Sequence, residues 1–235
     1  MDIDFVYKTV LLILNKEQRG YMTPDEFNKT AAQVQLEIFE KYFEDLNQFL
    51  RVPESNNEYA DRIRTLEDKI AMFEERQALT FSSGSFTLSL GAPPIHRLGV
   101  VQYEPLNANP VEIQQCTRRE YTEAKLSPLT QPSKHFPMLV KRQSIYTIYP
   151  SSIQDSVWAY YVRKPDNPFW NYTVSTINGA FLHSPTGSVD FQISDIEQTE
   201  VVLKILLYAG VIIRDPQVIQ TAAAMVAEEN QQEKL

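Results

Sequence analysis

The sequence predicts an α+β protein in which a helical bundle is built from both chain termini and a β-rich insertion lies in the middle. Apolar residues recur at helical spacing near both ends of the 235-residue chain, whereas the middle alternates between apolar and polar residues, as half-buried strands do. We therefore expect an N-terminal helical part over 1–79, a β-rich region over 80–193, and C-terminal helices over 194–235 that return to the bundle.

Three helices are predicted in the N-terminal part. Their ranges are 4–17, 24–50 and 55–78. The second begins with a capping box, because the Thr23 hydroxyl can accept a hydrogen bond from the first turn while the Glu26 carboxylate reaches back. Pro24 suits the first helical position. A second capping box at 55–58 marks the start of the third helix, which has one narrow apolar face.

The helix predicted over 24–50 has two adjoining rows of apolar residues. One row consists of Phe27, Ala31, Val34, Ile38, Tyr42, Leu46 and Phe49. The other consists of Ala32, Leu36, Phe39, Phe43 and Leu50. A single row suffices to bury a helix against its own chain, so two rows predict a helix that is covered on more than one side.

Strand patterns dominate the middle of the chain. Residues 80–90 alternate around a Ser-Gly pair, which predicts a hairpin. Further strands are predicted over 96–104, 144–150, 156–165 and 187–193, with a short helix over 111–125. The remaining segment, 166–186, is predicted to be a long loop or an irregular strand pair. Loops of this length are usually functional or held by a neighbour.

Helical patterns return at the C-terminus. Ser194 and Glu197 form a third capping box, and Gly210 stands where a helix commonly ends. A final helix is predicted to be capped by Asp215, with Pro216 at its first position, before a polar tail.

Composition excludes several classes of protein. With 22 Lys and Arg against 30 Asp and Glu, the net charge is −8, so a direct DNA-binding role is not expected. No apolar run approaches the roughly 20 residues that span a bilayer. No signal peptide is recognised either, which predicts synthesis in a cytoplasm. The single Cys116 excludes an intrachain disulfide and a multi-thiolate zinc site.

No motif for catalysis or ligand binding is present. The sequence lacks a Gly-rich phosphate loop, G-x-S-x-G, H-E-x-x-H and C-x-x-C. His96, His135 and His183 are far apart in sequence and are interpreted as residues without a catalytic role. Cys116, near Arg118, is interpreted as an ordinary half-buried thiol. We therefore predict no catalytic residue, no cofactor and no metal.

The segment YYVRKPDNPFW (160–170) is distinctive in composition. Its tyrosines, Arg163, Phe169 and Trp170 belong to residue types that are enriched at interface hot spots. The alternative is a core strand that leaves the sheet with its aromatic side chains packed inside. The two interpretations are compatible.

Both helical ends and the strand before the long loop form a recognisable pattern. It consists of ILNKEQRGYMTPDEFNKTAAQVQLEIFEKYFEDLNQFL (13–50), YYVRKPDNPFW (160–170) and DFQISDIEQTEVVLKILLYAGVIIRDPQVIQTAAAMVAEENQQ (190–232). Together these segments resemble structural proteins of tailed bacteriophages, in particular the ring, or head-to-tail connector, proteins of short-tailed crAss-like phages.

The resemblance implies a non-enzymatic ring subunit that stacks below the portal and forms part of the DNA channel. The implied partners are the chain itself in a ring of about twelve copies, the portal protein, and neighbouring ring or tail proteins. Genomic DNA would pass through the channel without specific binding, and no membrane is involved. The implied location is the portal vertex or tail of the virion, after synthesis in the host cytoplasm.

Interface residues are predicted from this resemblance. Because each subunit of a ring contacts a neighbour on each flank, we assign Leu36, Phe39 and Phe43 of the second apolar row to a subunit interface, with Phe169 and Trp170. Two alternatives stay open. A virion-associated hydrolase would need convergent carboxylates or a His cluster in a cleft, and an assembly scaffold would be absent from finished particles.

Overall fold

The computed structural model describes residues 1–16, 21–51, 57–88, 94–106, 108–142, 145–213 and 216–232. The chain forms two compact units. Unit 1 comprises Met1–Lys69 and Pro165–Leu235, and unit 2 comprises Ile70–Lys164. The chain thus leaves unit 1 once, builds unit 2 and returns. Ser55 and Asp215, which were predicted to cap two helices, lie outside the described residues.

Six helices and ten strands are found in the described residues. The helices are α1 Ile3–Lys16, α2 Pro24–Arg51, α3 Asn57–Ala71, α4 Arg118–Leu126, α5 Gln198–Ile213 and α6 Pro216–Gln232. The strands are β1 Glu74–Ser82, β2 Ser85–Leu88, β3 Ile95–Tyr103, β4 Val111–Glu112, β5 Gln114–Cys116, β6 Met138–Arg142, β7 Ile145–Tyr149, β8 Val157–Arg163, β9 Tyr172–Val174 and β10 Phe181–His183.

Helix α2 begins where its capping residues predict. The Thr23 backbone N–H donates to Glu26 Oε2 at 2.8 Å, and the Glu26 backbone N–H donates to Thr23 Oγ1 at 3.4 Å. Pro24 is the first helical residue. The predicted capping box is therefore confirmed, and two backbone donors that lack a partner within the helix are satisfied locally.

The core of unit 1 lies between helices. Helix α5 contacts α1, α2 and α6. Buried apolar side chains include Val6 and Val10 of α1, Phe27, Val34 and Ile38 of α2, and Val201 and Ile205 of α5. From Phe27 to Tyr42, the first apolar row of α2 thus faces the core of its own unit, as its helical spacing predicts.

Unit 2 is built around an eight-stranded sheet with the order β4-β3-β8-β1-β2-β7-β6-β5. Strand β1 joins its two halves, because Glu74–Ala78 pair with β8 and Leu79–Ser82 pair with β2. The β1–β2 turn is Ser83-Gly84, with φ of 49° and 82°. These values suit the type I′ turn of a two-residue hairpin, so the predicted hairpin is confirmed.

The sheet is nearly closed into a barrel by residues 111–116. Strand β4 pairs with β3 at one end of the order, and β5 pairs in parallel with β6 at the other. Only Ile113 separates β4 from β5. Its backbone N–H donates to the Val101 carbonyl at 2.8 Å, and its side chain is buried in the apolar core inside the sheet.

Strand β3 contains two irregularities in its pairing with β8, between Ile95 and Arg97 and between Leu98 and Val101. Each places one extra residue on β3, which bends the strand and increases its twist. Gly99 lies in the second bulge, where an added Cβ would stand only 2.9 Å from the Tyr160 carbonyl oxygen. The close approach of the two backbones therefore requires glycine at this position.

The predicted fold class is wrong. The chain is a mixed α/β protein in which the near-barrel sheet of unit 2, with its own apolar core, is a principal part of the structure rather than a small insertion into a terminal helical bundle. The error arose in residues 74–78, which were assigned to a helix because their charges extend the polar face of α3. They instead form the first half of β1 and pair with β8, while the second half of β1 pairs with β2.

Other local predictions also differ from the structure. Helix α5 continues through Gly210, where it was predicted to end, as far as Ile213. Residues 111–116 are not helical, because they pair with both ends of the sheet, and only 118–126 form a helix. Residues 187–193 do not form a regular strand and contribute a single bridge, Phe169 to Val189.

Candidate functional site

Residues 167–189 include no Lys, Arg, Asp or Glu, although 22% of the chain is charged. We call this stretch the uncharged segment. It lies in unit 1 and contains the hairpin of β9 and β10, which pairs Val174 with Phe181 and Tyr172 with His183. Its turn is closed by a hydrogen bond from the Ser175 N–H to the Ala180 carbonyl at 2.8 Å.

Trp170 anchors the uncharged segment to helices α1 and α2. Its indole ring is 3% exposed and packs on Tyr7 with ring centroids 4.4 Å apart. Its Nε1–H donates to Asp4 Oδ1 at 3.0 Å. Its backbone N–H donates to Asn28 Oδ1 at 2.7 Å, and its carbonyl accepts from Asn28 Nδ2 at 3.1 Å. One buried amide thus satisfies both backbone groups of Trp170, as a neighbouring strand would.

A second buried amide on α2 holds the chain on either side of the uncharged segment. Gln35 Nε2 donates to the Asp166 carbonyl at 2.6 Å, and Gln35 Oε1 accepts from the Gln192 N–H at 2.8 Å. Asn28 and Gln35 are seven residues apart, so they lie on one face of the helix. Sequence reasoning missed both residues. The available signal was a pair of amides at helical spacing beside a fully apolar row.

Asp4, His183 and Ser188 form a chain of polar contacts beside Trp170. His183 Nδ1 lies 3.7 Å from Asp4 Oδ1, and His183 Nε2 lies 3.1 Å from Ser188 Oγ. The imidazole also stacks on the Trp170 ring, at 5.5 Å between centroids. Acid, imidazole and hydroxyl in this order are the components of a nucleophilic triad.

The other contacts of these residues favour a positioning role. Ser188 Oγ donates its proton to the Ser184 carbonyl at 2.8 Å and accepts from the Asn171 N–H at 3.1 Å. A hydroxyl has one proton, so the proton given to Ser184 is not available to the imidazole. The same group of contacts connects β10 and the following turn to α1, and thereby fixes the hairpin.

The Asp4 carboxylate is stabilised in its charged form. Burial raises the pKa of Asp4, but hydrogen bonds from Lys8 and Trp170 and the nearby His183 outweigh it, so the pKa lies below its usual value. Lys8 Nζ is 2.6 Å from Asp4 Oδ2. A carboxylate that is charged at neutral pH strengthens the anchor as acceptor for the Trp170 indole, because hydrogen bonds to charged groups are stronger than neutral ones.

The uncharged segment exposes large apolar side chains on both faces of its hairpin, although Trp170 beside it is buried. Val174 and Phe181 are cross-strand partners on one face, and Leu182 lies on the other, because successive side chains of a strand alternate. Six large apolar side chains of the segment are exposed. They are Phe169, Val174, Ile177, Phe181, Leu182 and Val189, with Ile177 at the hairpin turn 95% exposed. We call these six residues the hairpin patch. Single exposed apolar residues are ordinary, whereas a cluster of this kind on an ordered element marks a contact site.

The five residues assigned to a subunit interface from the sequence have different surroundings. Phe39, Phe43 and Trp170 are buried within their own chain, and Phe39 and Phe43 pack edge to face at 5.1 Å between ring centroids. Leu36 is partly exposed and Phe169 is 43% exposed. The structure brings Phe169 and Trp170 into one segment, in which Trp170 is the anchor and Phe169 belongs to the hairpin patch. Contact of any of the five residues with a neighbouring subunit stays a prediction.

A buried ionic cluster lies elsewhere in unit 1. Glu197 pairs with Lys69 at 2.6 Å and accepts from the Tyr42 hydroxyl, so it does not complete the capping box predicted with Ser194. Ser194 Oγ instead accepts from the Ile196 N–H. The Nζ atoms of Lys41 and Lys204 each lie 3.2 Å from Glu200 Oε1. Each carboxylate is compensated by at least one ammonium group, which suits a structural role.

Cys116 is not activated. Burial, and secondarily the Glu120 carboxylate, raise the pKa of its thiol. Its Sγ lies 3.5 Å from the Leu139 carbonyl oxygen. A raised pKa keeps the sulfur protonated and poorly nucleophilic, in agreement with the half-buried thiol inferred from the sequence.

No family model matches the chain, and no curated protein matches it in sequence. Within the ranges that the structure describes, no helix is long and apolar enough to cross a membrane. The same residues include no group of three or more His, Cys, Asp or Glu that could hold a metal ion. The hairpin patch, whose apolar side chains are exposed on a segment held by Trp170, is the candidate functional site.

Proposed function

We propose that the chain is a structural subunit of a phage head-to-tail connector or tail ring, which stacks below the portal and forms part of the DNA channel. The hairpin patch is the observation that supports this most directly. Clusters of exposed large apolar side chains on an ordered element are typical of protein–protein contact sites. Because Trp170 and Asn28 hold the segment in place, little conformational entropy is lost when the patch is covered, which favours assembly.

The proposed partners are further copies of the chain in a ring of about twelve, the portal protein, and neighbouring ring or tail proteins. Genomic DNA passes through the ring without specific binding. The net charge of −8 supports this part of the proposal, since phosphates are repelled by an acidic protein and do not adhere to it. The proposed location is the portal vertex or tail of the virion.

A virion-associated hydrolase is the second candidate function. It is favoured by the sequence of contacts from Asp4 through His183 to Ser188. The hydrogen bond from Ser188 to the Ser184 carbonyl counts against it. Substituting Ser188→Ala in the phage separates the two functions. A structural role predicts that any loss appears as a lower yield of particles, that the particles that do assemble infect normally, and that Thr173→Ala on the neighbouring hairpin has no effect, whereas a hydrolase predicts a normal yield of intact particles that fail to infect.

Quantitative mass spectrometry of purified particles tests the proposed function. We expect the chain in finished virions at about twelve copies for each portal ring. Its presence in immature heads but not in finished virions would identify an assembly scaffold. Its absence from both would contradict any role in the particle.

A further inference from the structure

The two units of the chain have opposite net charges. Unit 1 contains 12 Lys and Arg against 23 Asp and Glu, a net charge of −11. Unit 2 contains 10 Lys and Arg against 7 Asp and Glu, a net charge of +3. The overall charge of −8 is therefore the sum of an acidic unit and a basic unit.

Unit 2 has an exposed apolar surface of its own. It lies on residues 126–137, which begin at the last residue of helix α4 and which we call the proline loop. Its apolar side chains, Leu126, Leu129 and Phe136, are all largely exposed, and Leu129 is 96% exposed. The prolines of this loop are Pro128, Pro132 and Pro137.

The proline loop is ordered by short-range hydrogen bonds. The Thr130 N–H donates to the Ser127 carbonyl at 3.2 Å, and Thr130 Oγ1 donates to the Ala124 carbonyl at 3.0 Å. Ser133 and Phe136 exchange two backbone hydrogen bonds, each 3.2 Å long. These turns hold apolar side chains in water, in a conformation that needs no rearrangement before a partner binds.

The positive charge of unit 2 is concentrated around this loop. Residues 118–142 contain six Lys and Arg against two Glu. By contrast, the hairpin patch has no charged residue within it, and the nearest charged residues along the chain are Asp166 and Asp190. The apolar surface of unit 1 is therefore framed by acidic sequence, and that of unit 2 by basic sequence.

From this complementarity we infer that the hairpin patch of one copy docks on the proline loop of the next copy. The occupant of each surface is a second copy of this chain, and the contact is heterologous, with different surfaces on the two partners. Apolar side chains supply the buried area, while the surrounding charges of opposite sign select the pairing. The inference rests on the self-assembly that the proposed function includes.

A symmetric contact between two hairpin patches is disfavoured by the same charges. It would bring together two units that each carry −11, and like charges across an interface are repelled. A heterologous contact leaves one free surface of each kind on every dimer. Such a contact adds further copies until the ring closes.

Site-directed cross-linking in the full-length chain tests this contact. Every variant also has Cys116→Ser, which removes the natural thiol. Ile177→Cys places a thiol on the hairpin patch, and Leu129→Cys places one on the proline loop of a second, differently tagged copy. With a short bismaleimide linker, we expect the mixed pair to cross-link at least about tenfold faster than a control pair, because the contact raises the effective concentration of the two thiols.

Leu106→Cys supplies the control thiol. Leu106 is a leucine of unit 2 with the same 96% exposure as Leu129, but it lies outside the proline loop. The inference would be overturned if Ile177→Cys cross-linked to Leu129→Cys and to Leu106→Cys at equal rates. Faster linking of Ile177→Cys to itself than to Leu129→Cys would overturn the heterologous contact. We also expect the mixed rate to fall as salt is added, since salt screens charge attraction, and a rate independent of salt would overturn the charge-based selection.

The two proposals can fail separately. A chain that is present in virions at ring stoichiometry but does not cross-link between positions 177 and 129 would overturn this contact and leave the connector function standing. A chain that cross-links as expected but is absent from particles would overturn the connector function and leave the contact standing.

Discussion

Asn28 is a residue whose structural role the sequence did not reveal. Its single amide pairs with both backbone groups of Trp170, which is 142 positions away. Substituting Asn28→Ala leaves a buried N–H and a buried carbonyl without these partners, at a cost of roughly 1–3 kcal/mol for each group. We expect the free energy of unfolding in urea to fall accordingly, and amide exchange at Phe169 and Val189 to accelerate.

Gln33→Ala is the matched control for this substitution. Gln33 is an exposed amide on the same helix and bonds only to the Glu37 carboxylate at 3.0 Å. Its loss is expected to change the free energy of unfolding by less than about 0.5 kcal/mol. If Asn28→Ala proves as mild as Gln33→Ala, the described anchor does not hold the uncharged segment.

Asp4 makes the anchor dependent on pH. Its pKa in the folded protein lies below the usual value of 3.8, so its stabilising contribution is present above that value. The contribution is lost as the pH falls through the folded pKa. We therefore expect Asp4→Asn to lower the free energy of unfolding near pH 7 and to have a diminishing effect toward about pH 3, as measured by urea denaturation.

Asp25→Asn distinguishes this effect from a general loss of negative charge. Asp25 forms an exposed pair with Lys29 at 2.7 Å, and such pairs contribute little. We expect a change of no more than about 0.5 kcal/mol for Asp25→Asn at neutral pH. An Asp4→Asn effect that persists unchanged in acid would show that the charge of Asp4 is not the stabilising feature.

At the level of elements, the bulge at Gly99 shapes strand β3. An alanine Cβ there would stand 2.9 Å from the Tyr160 backbone oxygen, so one of the two strands has to move. We expect Gly99→Ala to lower the free energy of unfolding by roughly 1–3 kcal/mol. This loss exceeds the roughly 0.4–1 kcal/mol that a Gly-to-Ala change gains through the unfolded state.

Val100→Ala provides the comparison within the same bulge. The Val100 side chain is exposed, so its truncation is expected to cost less than about 1 kcal/mol. Thermal or urea unfolding of both variants compares their free energies of unfolding with that of the wild type. Wild-type stability in Gly99→Ala would mean that the two backbones are not in close approach.

Elements defined by local signals were predictable from the sequence. Helix α2 was placed correctly because Thr23, Pro24 and Glu26 act within one turn, and the β1–β2 hairpin because Ser83-Gly84 suits one turn type. The first half of β1 was missed because its charged residues continue the polar face of α3. Its strand conformation depends on pairing with β8, which lies 80 to 88 positions further along the chain, and context of this kind overrides local preference.

The candidate site was predictable only in part, for the same physical reason. Composition singled out Phe169 and Trp170 but left open whether they were core or interface residues. The structure separates them: Trp170 is buried by partners on α1 and α2, and Phe169 is exposed. No local pattern connects Trp170 with Asn28 or His183 with Asp4, because these contacts form only when distant segments of the chain meet.

For the whole molecule, the division into units explains why the predicted fold class failed. Helical patterns at both termini predict one bundle, with the strands between them as an insertion. The middle segment instead closes a sheet of its own, because 111–116 pair with both ends of the strand order. Each unit then has its own core, its own net charge and its own exposed apolar surface. A chain with two such surfaces is suited to assembly with copies of itself.

Cryo-electron microscopy of the portal vertex tests most directly whether this chain is a ring subunit of a phage connector. We predict a ring of about twelve copies below the portal. In that ring, the hairpin patch of each copy is covered by protein and the channel contains no DNA-specific contact. A vertex in which no density fits units 1 and 2, or a ring in which Ile177 and its neighbours remain open to solvent, would contradict the proposed connector function.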